Sequence, residues 1–152
     1  MAWTTCLFGW SLLTLAVYDI RYLRLPNYLT LPLMPLGLVV GYGIAPARFP
    51  EHLLGCIGGF VVFVVIAEAY RWLRRRDGLG HGDAKLMAAL GAWLGWPSLP
   101  SVVLIAALSG LAAVLVQAVS ERGMTLDRPL PFGAFLSLGA WLVWLYGPLA
   151  LR

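Results

Sequence analysis

Seven carboxylates occur in this chain, and two of them stand where a carboxylate is costly. Asp19 closes an apolar run that opens at Trp3. Asp83 directly precedes a second, short apolar run and follows Gly80-His81-Gly82. An ionisable group at membrane depth is expensive, and it is kept where it has work to do. Both fall at one boundary of the apolar runs, and two carboxylates brought close together share a proton, because both cannot ionise cheaply side by side. Such a pair can take a proton from water with one member while the other hydrogen-bonds a carbonyl, which is the chemistry of an aspartyl hydrolase. Each residue also has a plainer reading. Asp19 would serve as an interfacial partner of Arg21 or Arg24, and Asp83 as a helix N-cap.

The remaining acids carry less. Glu51 falls in a loop beside His52, while Asp77, Glu121 and Asp127 lie among arginines and read as charge balance. Glu68 precedes Arg71 by one helical turn, so an i,i+3 pair is expected, with a polar residue facing the site as the alternative. Gly78, Gly80 and Gly82 alternate, a spacing that permits positive φ and the close backbone approach an extended substrate would need. His81 between them is expected to have no chemical role. Lys85 is read as an anchor for substrate or lipid phosphate, or as a plain interfacial cation. Cys6, His52 and Cys56 map toward one face, where a metal or disulfide is a minor alternative. Two cysteines cannot make a disulfide framework or a four-thiolate zinc site, and neither metal nor cofactor is expected.

The elements that position these groups follow from composition. The chain of 152 residues is 61% hydrophobic and 12% charged, with a mean hydropathy of +0.82; soluble domains carry roughly a quarter of their residues as charges. So apolar a surface requires lipid. Spans of about 20 apolar residues are needed to cross it. Trp3 to Tyr18, Leu29 to Ile44, Leu53 to Tyr70, Ser101 to Val119 and Phe132 to Leu149 supply five. Pro32 and Pro35 fall early in the second, where neighbouring helices can satisfy freed carbonyls. Ala84 to Trp96 is apolar but short, either a thinned span or a re-entrant helix. The expected fold is all-α, a polytopic transmembrane bundle of about six helices with the fourth short, forming one membrane-embedded domain over residues 1–152.

Met1 to Thr5 lack Lys and Arg, so the first run is expected to be a retained helix with its amino end outside. Six crossings then put nine of the eleven cations on the cytoplasmic side, leaving Arg48 and Arg152 outside. If the short run does not cross, the division is eight against three. The net charge of +4 belongs to loops between apolar runs, so a nucleic-acid partner is not expected. The seven tryptophans read as interfacial belt and packing residues.

Three stretches carry a resemblance. Asp19 with Leu25-Pro26-Asn27-Tyr28-Leu29-Thr30-Leu31-Pro32 resembles the first motif of type IV prepilin peptidases. Gly78-Leu79-Gly80-His81-Gly82-Asp83-Ala84-Lys85-Leu86, running on to Trp96, is similar to their Gly-x-Gly-Asp motif. Pro129-Leu130-Pro131-Phe132-Gly133 resembles the family's turn before the last helix. The resemblance implies a GxGD-type aspartyl peptidase of the bacterial cytoplasmic membrane, cutting after a glycine where a hydrophilic leader meets an apolar helix at the cytoplasmic face. It implies Asp19 and Asp83 as the catalytic pair. Gly80, Gly82, Lys85, Pro26, Asn27, Pro131, Phe132 and Gly133 would bind substrate or shape the site. The implied partners are a prepilin or a type II secretion pseudopilin, together with membrane lipid. Bifunctional members carry an extra domain with paired Cys-x-x-Cys motifs; this chain has none, so methyl transfer is not expected. Two other function classes stand beside this one: a small transporter or proton channel with Asp19, Asp83 and Glu68 as relay, and an inactive peptidase-like subunit.

Overall fold

In lipid, every backbone N–H and C=O must find its partner within the chain, and runs of Leu, Ala, Val and Gly achieve this as helices. The computed structural model describes residues 2–74, 80–120 and 130–149. It holds six α-helices: α1 (Ala2–Tyr22), α2 (Asn27–Ile44), α3 (Phe49–Arg74), α4 (His81–Leu94), α5 (Leu99–Ser120) and α6 (Phe132–Tyr146). Short 3-10 turns at Pro46–Arg48 and Trp96–Ser98 lead into α3 and α5. No strand occurs among the described residues. Asp77, Gly78, Glu121, Asp127 and Pro129 lie outside them, with Arg75, Arg76, Arg122 and Arg128, as does the side chain of His81.

Side-chain and backbone contacts fix the direction of each helix. Gly55 lies against Gly91 and Gly59 against Met87, so α3 and α4 are antiparallel. Asn27 bonds Lys85, and Gly37 faces Trp93, so α2 runs parallel to α4. Thr5 meets Trp144 and Asp19 meets Ala134, which sets α1 against α6. Ser101 meets Leu149 and Gly110 faces Phe135, which does the same for α5 and α6. Consecutive helices therefore alternate in direction through all six, giving a polytopic transmembrane bundle. By length and composition alone, Asn27–Ile44, Pro46–Leu73 and Trp96–Gln117 can cross a bilayer, and Phe132–Tyr146 is a shorter apolar helix.

The short helix is the centre of this arrangement. From Ala84 to Trp93 every residue of α4 except Lys85 is buried, packed by α2 and α3 on one side and α6 on another. Its 14 residues give about 21 Å at 1.5 Å per residue. A helix wrapped by other helices does not have lipid as its solvent, and so escapes the length rule that governs its neighbours. The last residues of α4 reach Glu51 and Gly55 at the start of α3, the end of the bundle opposite Asp83. Near that end Phe8 stacks on Trp93 at 4.6 Å and Trp144 closes the cluster, tying α1, α4 and α6 together.

Glycine makes this packing possible. A Cβ on Gly91 would stand 2.1 Å from the Gly55 carbonyl oxygen, so α3 and α4 touch backbone to backbone, as small residues allow where lipid gives no hydrophobic drive between helices. Pro32 and Pro35 are accommodated inside α2, and Trp93 Nε1 donates to the Leu33 carbonyl at 2.9 Å, tying that stretch to α4. The outward faces are lined by large apolar residues such as Leu104, Leu108, Leu111 and Leu115 on α5.

Three boundaries differ from the sequence expectation. Asp19 lies within the last turn of α1, which continues to Tyr22. Glu51 and His52 belong to the first turn of α3 instead of a loop, since Pro50 is at home in a first turn, where its missing N–H is no loss. Asp83 does not precede α4 but sits in its first turn, because extended Gly80 caps the helix and His81 begins it.

Candidate active site

The two aspartates are buried at the same end of the bundle, Asp19 at 5% exposure and Asp83 at 9%. Each sits at a helix N-terminus, by different routes. The Asp83 amide donates to the Gly80 carbonyl at 3.0 Å, and its carboxylate faces the Gly80 amide, a reciprocal arrangement like a capping box. Asp19 caps a helix that is not its own. Its Oδ2 accepts the Ala134 amide at 3.0 Å, with the Gly133 amide beside it. The amides of the first turn of a helix have no partner within it, and the helix dipole favours negative charge there. Pro131 offers no side-chain cap to α6, so the carboxylate of α1 takes that role. The two carboxylates are drawn to one place by shared neighbours: Leu25 lies against Gly82, next to Asp83, and against Gly133, which touches Asp19 Oδ2.

Leu25 fills the space between the two loops. The α1–α2 link is short, and Leu23 takes the left-handed conformation with φ 51° while its amide donates to the Asp19 carbonyl at 2.8 Å. That turn carries Leu25 back against both glycines of the site. A Cβ on Gly82 would lie 3.0 Å from Leu25 Cβ, and a Cβ on Gly133 would lie 3.0 Å from Leu25 Cδ1 and 2.9 Å from Asp19 Oδ2. These contacts correct the expectation for the glycine-rich turn. Gly80 has φ −73°, and positive φ among the described glycines occurs only at Gly95 and Gly147. Gly82 is needed for the approach of a side chain, not for backbone freedom.

The other expected site residues gather around this end. Lys85 Nζ donates to Asn27 Oδ1 at 2.8 Å, so the lysine ties α4 to the start of α2. Pro26 caps α2, and its carbonyl accepts the amides of Leu29 and Thr30 and the Thr30 hydroxyl. Phe132 and Gly133 open α6 directly behind Pro131. Glu68 does not face the site; it pairs with Arg71 on an exposed part of α3. Cys6 and Cys56 are free thiols, and His52 Nδ1 lies 3.0 Å from the Ala92 carbonyl. No group of three metal-ligating side chains occurs among the described residues. Leu25 and Ala134 were not assigned by sequence reasoning, since an apolar residue and a backbone amide leave no chemical mark in a sequence.

Comparison with known proteins places this geometry in context. The model of the type IV leader peptidase family matches residues 6–115. A prepilin leader peptidase/N-methyltransferase of Burkholderia pseudomallei (strain K96243) is 42% identical over 137 residues, covering 90% of this chain and 44% of that protein. One of Aeromonas hydrophila is 36% identical over 141 residues, covering 93% and 48%. Leader peptidase HopD of Escherichia coli is 40% identical over 129 residues, covering 85% of this chain and 83% of HopD. The chain thus spans less than half the length of the first two relatives. No solved structure matches. With the family model matching most of its length, and with Asp19 and Asp83 of the two motifs buried at one end of the bundle, the chain belongs to the type IV leader peptidase family.

Proposed function

We propose that this chain is a single membrane-embedded aspartyl endopeptidase domain. It removes the leader from type IV prepilins or type II secretion pseudopilins, cutting after a glycine at the cytoplasmic face of the bacterial cytoplasmic membrane. One observation carries the reading: Asp19 and Asp83, from different helices, are buried together at helix N-termini at one end of the bundle. A transporter relay would call for ionisable groups along the membrane depth, and Glu68 is engaged with Arg71 instead. Exposed Arg21, Arg24 and Arg71 lie at the aspartate end and Arg48 at the other, which supports a cytoplasmic site.

The chemistry follows from the pair. Two adjacent carboxylates away from bulk water hold one proton between them. The ionised member takes a proton from a bound water, whose oxygen attacks the scissile carbonyl carbon. The protonated member donates to the carbonyl oxygen as charge develops there. When the tetrahedral adduct collapses, the C–N bond breaks and a proton passes to the departing amine, restoring the pair. Whichever member is charged lies at a helix N-terminus, where amides and dipole favour it. The titration belongs to the dyad as a unit. Leu25 and the two glycines hold the loops that carry it.

The test is incubation of detergent-purified protein with candidate prepilins, read by mass spectrometry. A new amino terminus directly after the leader glycine is expected. Asp19→Asn and Asp83→Asn should each abolish it while insertion into the membrane continues. Near-normal processing by either variant would sink the two-carboxylate mechanism.

A further inference from the structure

A groove of about 500 Å³ runs along the outer face of the bundle between α1 and α6. It starts at Ala134, whose amide holds Asp19, and ends by Thr5 and Cys6 at the far end of the bundle. Its α1 side is Gly9, Leu12, Leu13 and Ala16, and its α6 side is Ala134, Ser137, Leu138 and Trp141. Both sets repeat at i, i+3, i+4 and i+7, the stripe one helix offers to another. The hydroxyl of Ser137 already donates to the Gly133 carbonyl at 2.8 Å, and Thr5 accepts from Trp144 Nε1 at 3.2 Å, so these polar groups are engaged within the bundle.

We infer that this groove receives the apolar helix of the substrate, with the helix's amino-terminal end beside Ala134 and the aspartates. The inference rests on the peptidase reading above and adds where the rest of the substrate lies. An occupant at membrane depth must satisfy its own backbone, which an α-helix does. Small residues let a helix approach closely where lipid supplies no hydrophobic drive, and the half-buried Ala16 and Ala134 lie along this groove at the end nearest the aspartates. A free acyl chain would fill the same space. The groove, however, is continuous with the site through Ala134, a residue that both lines it and holds Asp19. A peptide whose scissile bond lies at the aspartates and whose next residues are an apolar helix is thereby led along it, parallel to α6.

The geometry sets a distance that can be read. Cys6 and Asp19 are 13 residues apart on one helix, about 20 Å at 1.5 Å per residue. A helical substrate lying alongside brings its position about 13 residues after the scissile bond to Cys6. The Cys56→Ser protein keeps Cys6 as its single thiol. Combined with Asp83→Asn to hold the substrate uncut, it is treated with a short bismaleimide in the presence of prepilins carrying one cysteine at successive positions. Cross-linking should peak near that position, recur at helical spacing, and vanish with Cys6→Ser. A flat profile, while the Cys56→Ser protein still cleaves, would overturn the inference in favour of lipid in the groove. A dominant Cys6–Cys6 cross-link between copies would overturn it in favour of a dimer contact. Absence of cleavage by the Cys56→Ser protein would strike the peptidase reading itself, and this inference with it.

Discussion

Along the seam between α3 and α4, backbone meets backbone: Gly55, Gly59 and Gly91 leave no room for a side chain. Along the seam between α1 and α6 the helices touch at intervals, through Trp141 on Gly9 and Ala134 on Asp19, and a groove remains. Both seams use glycine, with different results. The first locks α4, and with it the height of Asp83, to the long helix beside it. The second holds Asp19 at the first amides of α6 while leaving the flank of the site open to lipid. Both aspartates are buried, but one is set by a closed seam and the other by a seam that leaves a groove, the route along which the proposed substrate would come.

Substitutions at these glycines separate the two roles, and the largest effect is expected at Gly91. Gly91→Leu should leave no folded protein, because the obstructing atoms belong to the Gly55 backbone at 2.1–2.2 Å and cannot swing aside; overpacking costs typically about 1–3 kcal/mol and more where nothing yields. Thermal melting in detergent reads this, and a variant that melts like the parent would show that the seam is looser than described. Gly133→Ala should leave the melt nearly unchanged and cut the cleavage rate by about a hundredfold, the order of loss for a catalytic group displaced by about 1 Å. Its methyl would press on Asp19 Oδ2 at 2.9 Å. Loss of folding and activity together would make the two seams alike.

Gly82→Val should also impair cleavage more than folding, with Leu25 as the cause, while His81→Ala should be mild. The contact can be isolated with a smaller pair of changes. Gly82→Ala alone should slow cleavage, and adding Leu25→Ala should restore part of the rate, since neighbouring sites couple by about 0.5–3 kcal/mol. Strict additivity of the two in initial rates would remove Leu25 from the account. The smallest effect is expected outside both seams. Leu23→Gly relieves a left-handed backbone at φ 51° but adds freedom to the unfolded chain, so the melt should shift by less than about 1 kcal/mol in either direction.

The six helices and the common end at which Asp19 and Asp83 lie buried were legible in the sequence because both signals are local. Apolar runs of membrane length identify themselves, and a lone Asp at the edge of one is conspicuous where charges are scarce. The glycines were legible as glycines but not as to purpose. Gly82 was expected to supply backbone freedom, and it instead admits Leu25, a residue far away in the chain. Asp19 as the cap of α6 was equally hidden, since nothing near Asp19 or near Gly133 names the other. The extra turn at the end of α1 and the start of α4 at His81 depend on which carbonyls find donors, a matter settled by neighbours more than by propensity.

The register of α3 on α4 also has a consequence for the bilayer. Gly55 opposite Gly91 and Gly59 opposite Met87 put Phe63 level with Asp83, and α3 then continues to Arg74, about 16 Å further. Centred in a hydrocarbon layer of about 30 Å, an α4 of about 21 Å would leave its aspartate end a few ångströms below the headgroups. Water and a polar leader must descend to the aspartates, and the depth of that descent is a property of the lipid as much as of the protein. Hydrophobic mismatch thus acts as a dial: shorter acyl chains raise the carboxylates toward the headgroups, and longer ones bury them.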